Sequence, residues 1–309
     1  MLSNTSQLLE KWLSRQLPDD ASKWLQQQLV TLEADQSTRT FDIVFGMIPR
    51  KLGKTDLQLD DHDFAEAASF RSGWNPSQWS VDIAARVLVL LKVSRTTNIH
   101  FAERFREIHR TADVSELLAL YYGLPLYGEP ETLVEQAALG LRTNMRSEFE
   151  AIAHNNPFPS EQFAQNPWNN MVLKALFIGA MLEPIQGLDE RANPDLARIL
   201  SDYAHERWAA DRLVSPELWR CIGPFAEGRY LDDFERVIES GNETEKKAVA
   251  LALKSAPGSE RKDGLMKRLF GFDGAIDAGN LTWSSIADEM FNNALAITRK
   301  LNTEVEMTR

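Results

Sequence analysis

The chain has 309 residues, 43% hydrophobic and 26% charged, enough to bury a full core in one large domain or two medium ones. A formal charge of −11 with a pI near 5.1 repels phosphate backbones and argues against nucleic-acid binding without a local basic patch. The single cysteine, Cys221, excludes an intramolecular disulfide and a cysteine-built metal site within one chain.

The N-terminus, MLSNTSQLLEKWLSRQLPDD, is charged and amphipathic and lacks the apolar run of a secretory signal. No segment approaches the roughly 18 apolar residues of a spanning helix; stretches 81–93 and 171–182 come closest, and each carries internal charge or is too short. A soluble, cytoplasmic, non-spanning protein is expected.

In chain order, helical periodicity predicts helices over 5–16, 20–34, 39–48, 60–71 and 76–93, then 98–110, 114–122, 130–143 and 147–153. Those over 167–182, 194–210, 216–226, 229–240, 243–256, 260–270 and 283–300 complete the set. Four starts share one chemistry: Asn75-Pro76, Asn166-Pro167, Asn193-Pro194 and Ser215-Pro216 place a capping side chain before a proline at the first helical position. Asp113 with Glu116 and Asn242 with Glu245 have the spacing of capping boxes. Segments 52–61 and 271–280 read as loops. Alternating strand patterns are nearly absent.

Residues 229–256 read as a helix, a Ser-Gly-Asn turn and a second helix with small residues on its faces, the look of a helical-hairpin repeat. A weaker echo spans 130–156. The expected fold is all-α, an irregular HEAT-like α-solenoid or multi-helical array of short hairpins. It forms one domain over 1–309, with N-terminal helices 1–72, a core block 74–226 and a C-terminal hairpin and cap 229–300.

Chemistry concentrates in 154–225, where polar clusters interrupt helices that are otherwise apolar nearly all round. There is no Gly-rich phosphate loop, nucleophile elbow or metal-ligand spacing. Arg207 shares a helical stripe with Leu196, Ile199, Leu200 and Tyr203, which aims a guanidinium at the core; Asp189-Glu190 is the nearest source of carboxylates. A structural ion pair is favoured there over ligand binding. His205 falls on the opposite face near Asp202 and Arg198, where a solvated histidine is the plainer reading.

Asn170 and Lys174 stand four apart on an apolar helix, with Asn169 alongside; the lysine either snorkels to water or meets an anion. Asp82 and Arg86, also four apart, read as a half-buried intrahelical pair. Trp74, Trp79, Trp168, Trp208 and Trp219 lie near the polar clusters and serve either as core or as an aromatic groove, with core favoured. The five histidines, at 62, 100, 109, 154 and 205, have no metal-binding spacing. The basic clusters Pro49-Arg50-Lys51 and Glu260-Arg261-Lys262 read as solvated helix ends.

Five segments together resemble the EboA family: WNPSQWSVDIAARVLVLL from Trp74, HNNPFP from His154, WNNMVLKALFIG from Trp168, GLDERANPDLARILSDYAHERWAADRLVSPELWR from Gly187, and IGPF from Ile222. The resemblance is densest from Trp74 to Phe225 and weakest at both ends. It implies an all-α, HEAT-like accessory protein that handles a secondary metabolite on its way to the cell envelope. The family's gene neighbours include a membrane prenyltransferase-like protein and hydrolase-like or sugar-isomerase-like barrels, which fits a scaffold or carrier. It supplies no established catalytic or binding residues to transfer.

The physical reading therefore nominates Asn170, Lys174, Asp189, Glu190, Arg191, His205 and Arg207 as ligand-binding, in a mostly apolar pocket where helix 167–182, loop 187–193 and helix 194–210 meet. No catalytic residue, metal or cofactor is expected, and the partner is a small metabolite, a protein of the same gene cluster, or both. The alternative is an enzyme built on Lys174, Asp189, Glu190 and His205.

Overall fold

The structure, a computed structural model, describes residues 2–35, 37–96 and 101–307. It is all-α: among the described residues the sole extended pairing is an isolated antiparallel bridge between Asp56 and Ser80. Among the same residues no helix is long and apolar enough to cross a membrane. The chain divides into two compact units, Met1–Trp168 and Asn169–Arg309.

In unit 1, α1 (Leu2–Gln16), α2 (Asp19–Ala34), α3 (Thr38–Leu52) and α4 (Asp61–Phe70) lead to α5 (Val81–Thr96). α6 (Phe101–Thr111), α7 (Val114–Tyr122), α8 (Val134–Gly140), α9 (Arg146–Ala153) and α10 (Phe158–Gln162) follow. The start of the helix expected at 98–110 lies outside the described residues, as does His100. α5 has no polar face, so it must be enclosed on every side, and α1, α2, α3 and α7 pack around it. Each fully buried leucine or valine on it contributes about 1.5–3 kcal/mol. Trp12, Trp74, Trp79 and Tyr122 continue this core as a chain of ring contacts, with centroids 5.6–6.2 Å apart.

The Asp82–Arg86 pair, expected to be half-buried, is sealed within this cluster. Arg86 is 1% exposed, with Nη1 3.6 Å from Asp82 and donating to Ser115 Oγ at 2.9 Å. Its Nε donates to the Phe45 carbonyl at 3.3 Å, and the guanidinium lies 5.2 Å from the Phe45 ring centroid.

The local start signals succeed where nothing distant competes. Asp113 and Glu116, Asn242 and Glu245 form reciprocal capping boxes, and Asn193 caps α12 (Pro194–Ala209). An unexpected capping box, Asp60 with Asp63, opens α4. The helix expected from Asn75 begins instead at Val81: after one turn, the chain runs beside residues 55–57, with Leu57 N donating to Trp79 O and Val81 N to Thr55 O, both at 2.9 Å. Long-range pairing overrides the local cap there. Ser215-Pro216 opens not an α-helix but two 3-10 turns, Pro216–Cys221 and Gly223–Phe225, and Ser215 makes no side-chain cap bond.

α11 (Gln165–Ile178) begins one residue before Asn166, so Asn166 is not its cap, and it stops where Gly179 adopts φ 73°. Unit 2 continues through α12 to α13 (Arg229–Ser240), α14 (Glu243–Ser255), α15 (Glu260–Arg268), α16 (Phe272–Asp277) and α17 (Trp283–Met307). α16 occupies part of the expected 271–280 loop. Arg261 and Lys262 fall at the start of α15, not at a helix end rich in carbonyls; Arg261 is held by Asp232 and Glu235.

α14 is the central element of unit 2, packed against both 3-10 turns, α13 and α17. Its Ala248, Ala250 and Ala252 are fully buried, and small side chains permit close approach. At Gly223 the approach is closest: a Cβ there would meet the Ala252 carbonyl oxygen at 2.6 Å and its Cα at 3.0 Å. Cys221, at the end of the preceding 3-10 turn, is buried.

Candidate functional site

The polar residues nominated around α11 and α12 resolve into separate groups. Asp189 receives a two-pronged bond from Arg220, Nε to Oδ1 at 2.6 Å and Nη2 to Oδ2 at 2.7 Å, while Arg220 Nη1 reaches Glu183 at 2.5 Å. Burial alone would lower the Arg220 guanidinium, but these two carboxylates outweigh it and raise it. Glu217 is buried beside this group and accepts the amides of Leu182 and Glu183 at 2.9 and 2.7 Å. Burial pushes its carboxyl up, only partly offset by those bonds. Asn169 and Asn193 exchange reciprocal amide bonds at 2.9 and 3.2 Å, joining α11 to the cap of α12.

Arg207 is not the buried partner of Asp189. It is half-buried, and its Nε donates to the Leu213 carbonyl at 2.9 Å. The buried face of α12 runs through Leu196, Ala197, Leu200, Ser201 and Ala204, while Ile199 and Tyr203 are only half-buried, so the stripe drawn through them carries Arg207 to the flank. His205 likewise departs from the expected neighbours: Asp202 bonds Arg198 and Arg229, while His205 Nε2 lies 2.5 Å from Asp233 Oδ1. Asp233 is buried and also accepts from Ser201 Oγ at 2.7 Å. That serine bonds the acid and not the imidazole, whereas an activated hydroxyl needs the base at its own proton.

Asn170 and Glu190 are exposed, and Lys174 and Arg191 half-buried; burial lowers the pKa of both cations. Asn170, Lys174 and Phe177 are spaced to share one face of α11, and Phe177 is 75% exposed. Of the five tryptophans weighed as a groove, Trp74, Trp79, Trp168 and Trp219 are core, and only Trp208 reaches an opening. Among the described residues, Asp60, His62 and Asp63 bring ligand-type atoms within 4.8 Å of one another. Asp63 there is already bonded by Arg15 and by the Asp60 amide.

The opening is a cavity of about 260 Å³ between the reversal after α12 and the end of α13. One wall is the turn 211–214, set by Asp211 in the left-handed region at φ 53°. The other wall carries Arg236, Val237 and Ser240 of α13, with Gly241 and Glu245 at the start of α14. Trp208 joins the walls: the Arg236 guanidinium lies 4.2 Å from its ring centroid, Trp219 stacks at 5.8 Å, and His205 lies at 5.4 Å. The nominated residues adjoin this cavity through His205, against Trp208, and Arg207, which holds the Leu213 carbonyl; none of the seven lines it.

Arg212, Arg236 and Asp233 escaped sequence reading because their neighbours come from other elements. Asp233 did leave a signal, a carboxylate among Leu231, Phe234 and Val237 on the apolar face of an amphipathic helix. Neither the curated proteins nor the solved structures supply a significant match. A family profile described as "Metabolite traffic protein EboA" matches residues 5–223, more than half of the chain. The cavity thus combines Trp208 to Val214, inside the matched region, with Arg236 to Glu245, beyond it. The chain belongs to the EboA family.

Proposed function

We propose that the protein is a non-enzymatic, HEAT-like helical-repeat accessory of cytoplasmic secondary-metabolite traffic, and that it holds a small molecule in the cavity between the 211–214 turn and α13. The observation that supports this reading is the cavity itself: an opening in which apolar Trp208, Leu213, Val214 and Val237 stand beside four charged side chains, Asp211, Arg212, Arg236 and Glu245, groups able to orient a guest. Arg220 with Asp189 and Glu183, Asn169 with Asn193, and Asp233 with Ser201 and His205 bond one another and brace the fold. Native mass spectrometry of the chain purified from its own host should show a bound mass, and Ser240→Trp, which fills the cavity from an exposed position, should release it. A wild-type chain at its bare mass, or a Ser240→Trp variant that keeps the adduct, would overturn the assignment.

A second reading concerns a protein partner from the same gene cluster, received on the α11 face and the adjoining loop. The strongly exposed Phe177 beside Lys174 and Asn170 favours it, with Glu190 and Arg191 supplying further polar contacts. Lys174→Ala and Glu190→Ala should then abolish recruitment in cells with helicity and unfolding temperature unchanged; full activity in both would remove this face from consideration.

A further inference from the structure

We infer that the cavity of unit 2 receives an oxyanion, a carboxylate or phosphate, carried on a small apolar body. This rests on the ligand-holding role proposed above and adds the ligand's chemistry.

The charge pattern of α13 points to it. Asp232 and Glu235 bond Arg261, Glu235 and Glu239 bond Arg268, and Asp233 bonds Ser201 and His205. Arg229 pairs with Asp202. Every carboxylate of the helix is therefore engaged, including those one, three and four residues from Arg236 that would ordinarily neutralise it. Arg236 makes no ion pair among the described residues and lies over Trp208, its Cζ 4.2 Å from the ring centroid.

A guanidinium stacked on an indole keeps its planar fork of N–H donors directed edgewise, the geometry that receives a carboxylate or phosphate with two parallel bonds. Across the cavity stands Arg212, which also makes no ion pair among the described residues. Two carboxylates share the lining. Glu245 is turned to the start of its own helix, its Oε2 accepting the Asn242 amide at 2.7 Å, and Asp211 is exposed, so two acids stand with two guanidiniums. The lining is thus formally neutral within a chain whose overall charge is −11, and it is Arg236, with no ion pair among the described residues, that offers an anion its donors.

Val214 and Val237 are buried at the lining, so the apolar contact open to the rest of the guest comes from Leu213, 82% exposed at the rim, and from the Trp208 ring. The volume of 260 Å³ corresponds to about eight or nine waters at ~30 Å³ each, which suits one ring or a short chain behind the anionic head.

The test is calorimetric titration of the full chain with benzoate, phenyl phosphate, neutral benzamide and inorganic phosphate. Benzoate or phenyl phosphate should bind at least tenfold more tightly than benzamide, and whichever of the two binds better identifies the head group. Arg236→Gln should weaken that binding tenfold or more at an unchanged melting temperature, Arg236→Lys should restore only part of it, and Arg212→Gln should cause a smaller loss. Benzamide binding equal to benzoate, or no loss in Arg236→Gln, would refute the oxyanion while leaving the cavity as a binding site. Inorganic phosphate binding as tightly as phenyl phosphate would refute the apolar body. Failure of every aromatic probe, charged and neutral, would instead count against the cavity reading itself.

Discussion

Arg86 in unit 1 and Arg236 in unit 2 each place a guanidinium over an aromatic ring, at 5.2 Å from Phe45 and 4.2 Å from Trp208, yet they do opposite work. Arg86 is enclosed by helices and meets Asp82, Ser115 and a backbone carbonyl, so its donors have partners inside the fold. Arg236 rests on its ring at the edge of an opening, and the acids of its own helix are bonded elsewhere. The contrast teaches that an arginine on an aromatic ring is not informative by itself. What distinguishes bracing from recognition is where the neighbouring carboxylates point.

The largest test of that distinction is a matched pair of substitutions. Arg86→Met keeps the stem's packing but leaves Asp82 buried without its cation, and is expected to cost about 3–5 kcal/mol in denaturant unfolding. Arg236→Met is expected to stay within ~0.5 kcal/mol, because its charge is already in contact with water. Equal losses from the two would erase the difference between the regions.

A smaller effect sharpens the bracing side. Asp63 of unit 1 is fully buried, and its hydrogen bonds with Arg15 hold its carboxyl below the usual range, against the upward push of burial. A carboxyl with a lowered folded pKa contributes stability that is complete above its unfolded value of about 3.9 and lost as pH falls through the folded one. Asp63→Asn should therefore lower the unfolding midpoint at neutral pH and flatten its decline below about pH 4. An acid limb identical to that of the wild type would assign the loss to other groups.

A small effect is also expected at Arg207. With a bond to the Leu213 carbonyl and no carboxylate partner among the described residues, Arg207→Met should change stability by about 1 kcal/mol or less, far below the value for a buried ion pair. A loss comparable to that of Arg86→Met would mean that the end of α12 is braced by a charge pair after all.

These cases also mark how far the sequence reaches. The all-α class, the two predicted capping boxes and the Asn193 cap were legible because each depends on residues within one helical turn. So was the hairpin of α13 and α14, whose apolar spacing survives in the fold. Asn75-Pro76 carried the same local signal as Asn193-Pro194 but lost to the pairing of 79–81 with 55–57, which no local pattern displays. Arg207 was misjudged because helical periodicity gives the angle between side chains and not which angle faces the core. Asp189 was read as a carboxylate source for Arg207, but its cation is Arg220, which arrives from a 3-10 turn 31 residues away. The cavity was illegible for the same reason, since its walls come from two segments joined only by the fold.

Cys221 turns the density of unit 2 into a clock. The chain's single thiol sits on the turn packed against α14, and burial pushes its pKa up to about 12, so in the closed state it is neither accessible nor appreciably a thiolate at neutral pH. Alkylation must wait for the surrounding structure to part. Its rate therefore reports how often this unit opens, at one site and without an introduced label, and any guest that binds the closed form should slow it in proportion to occupancy.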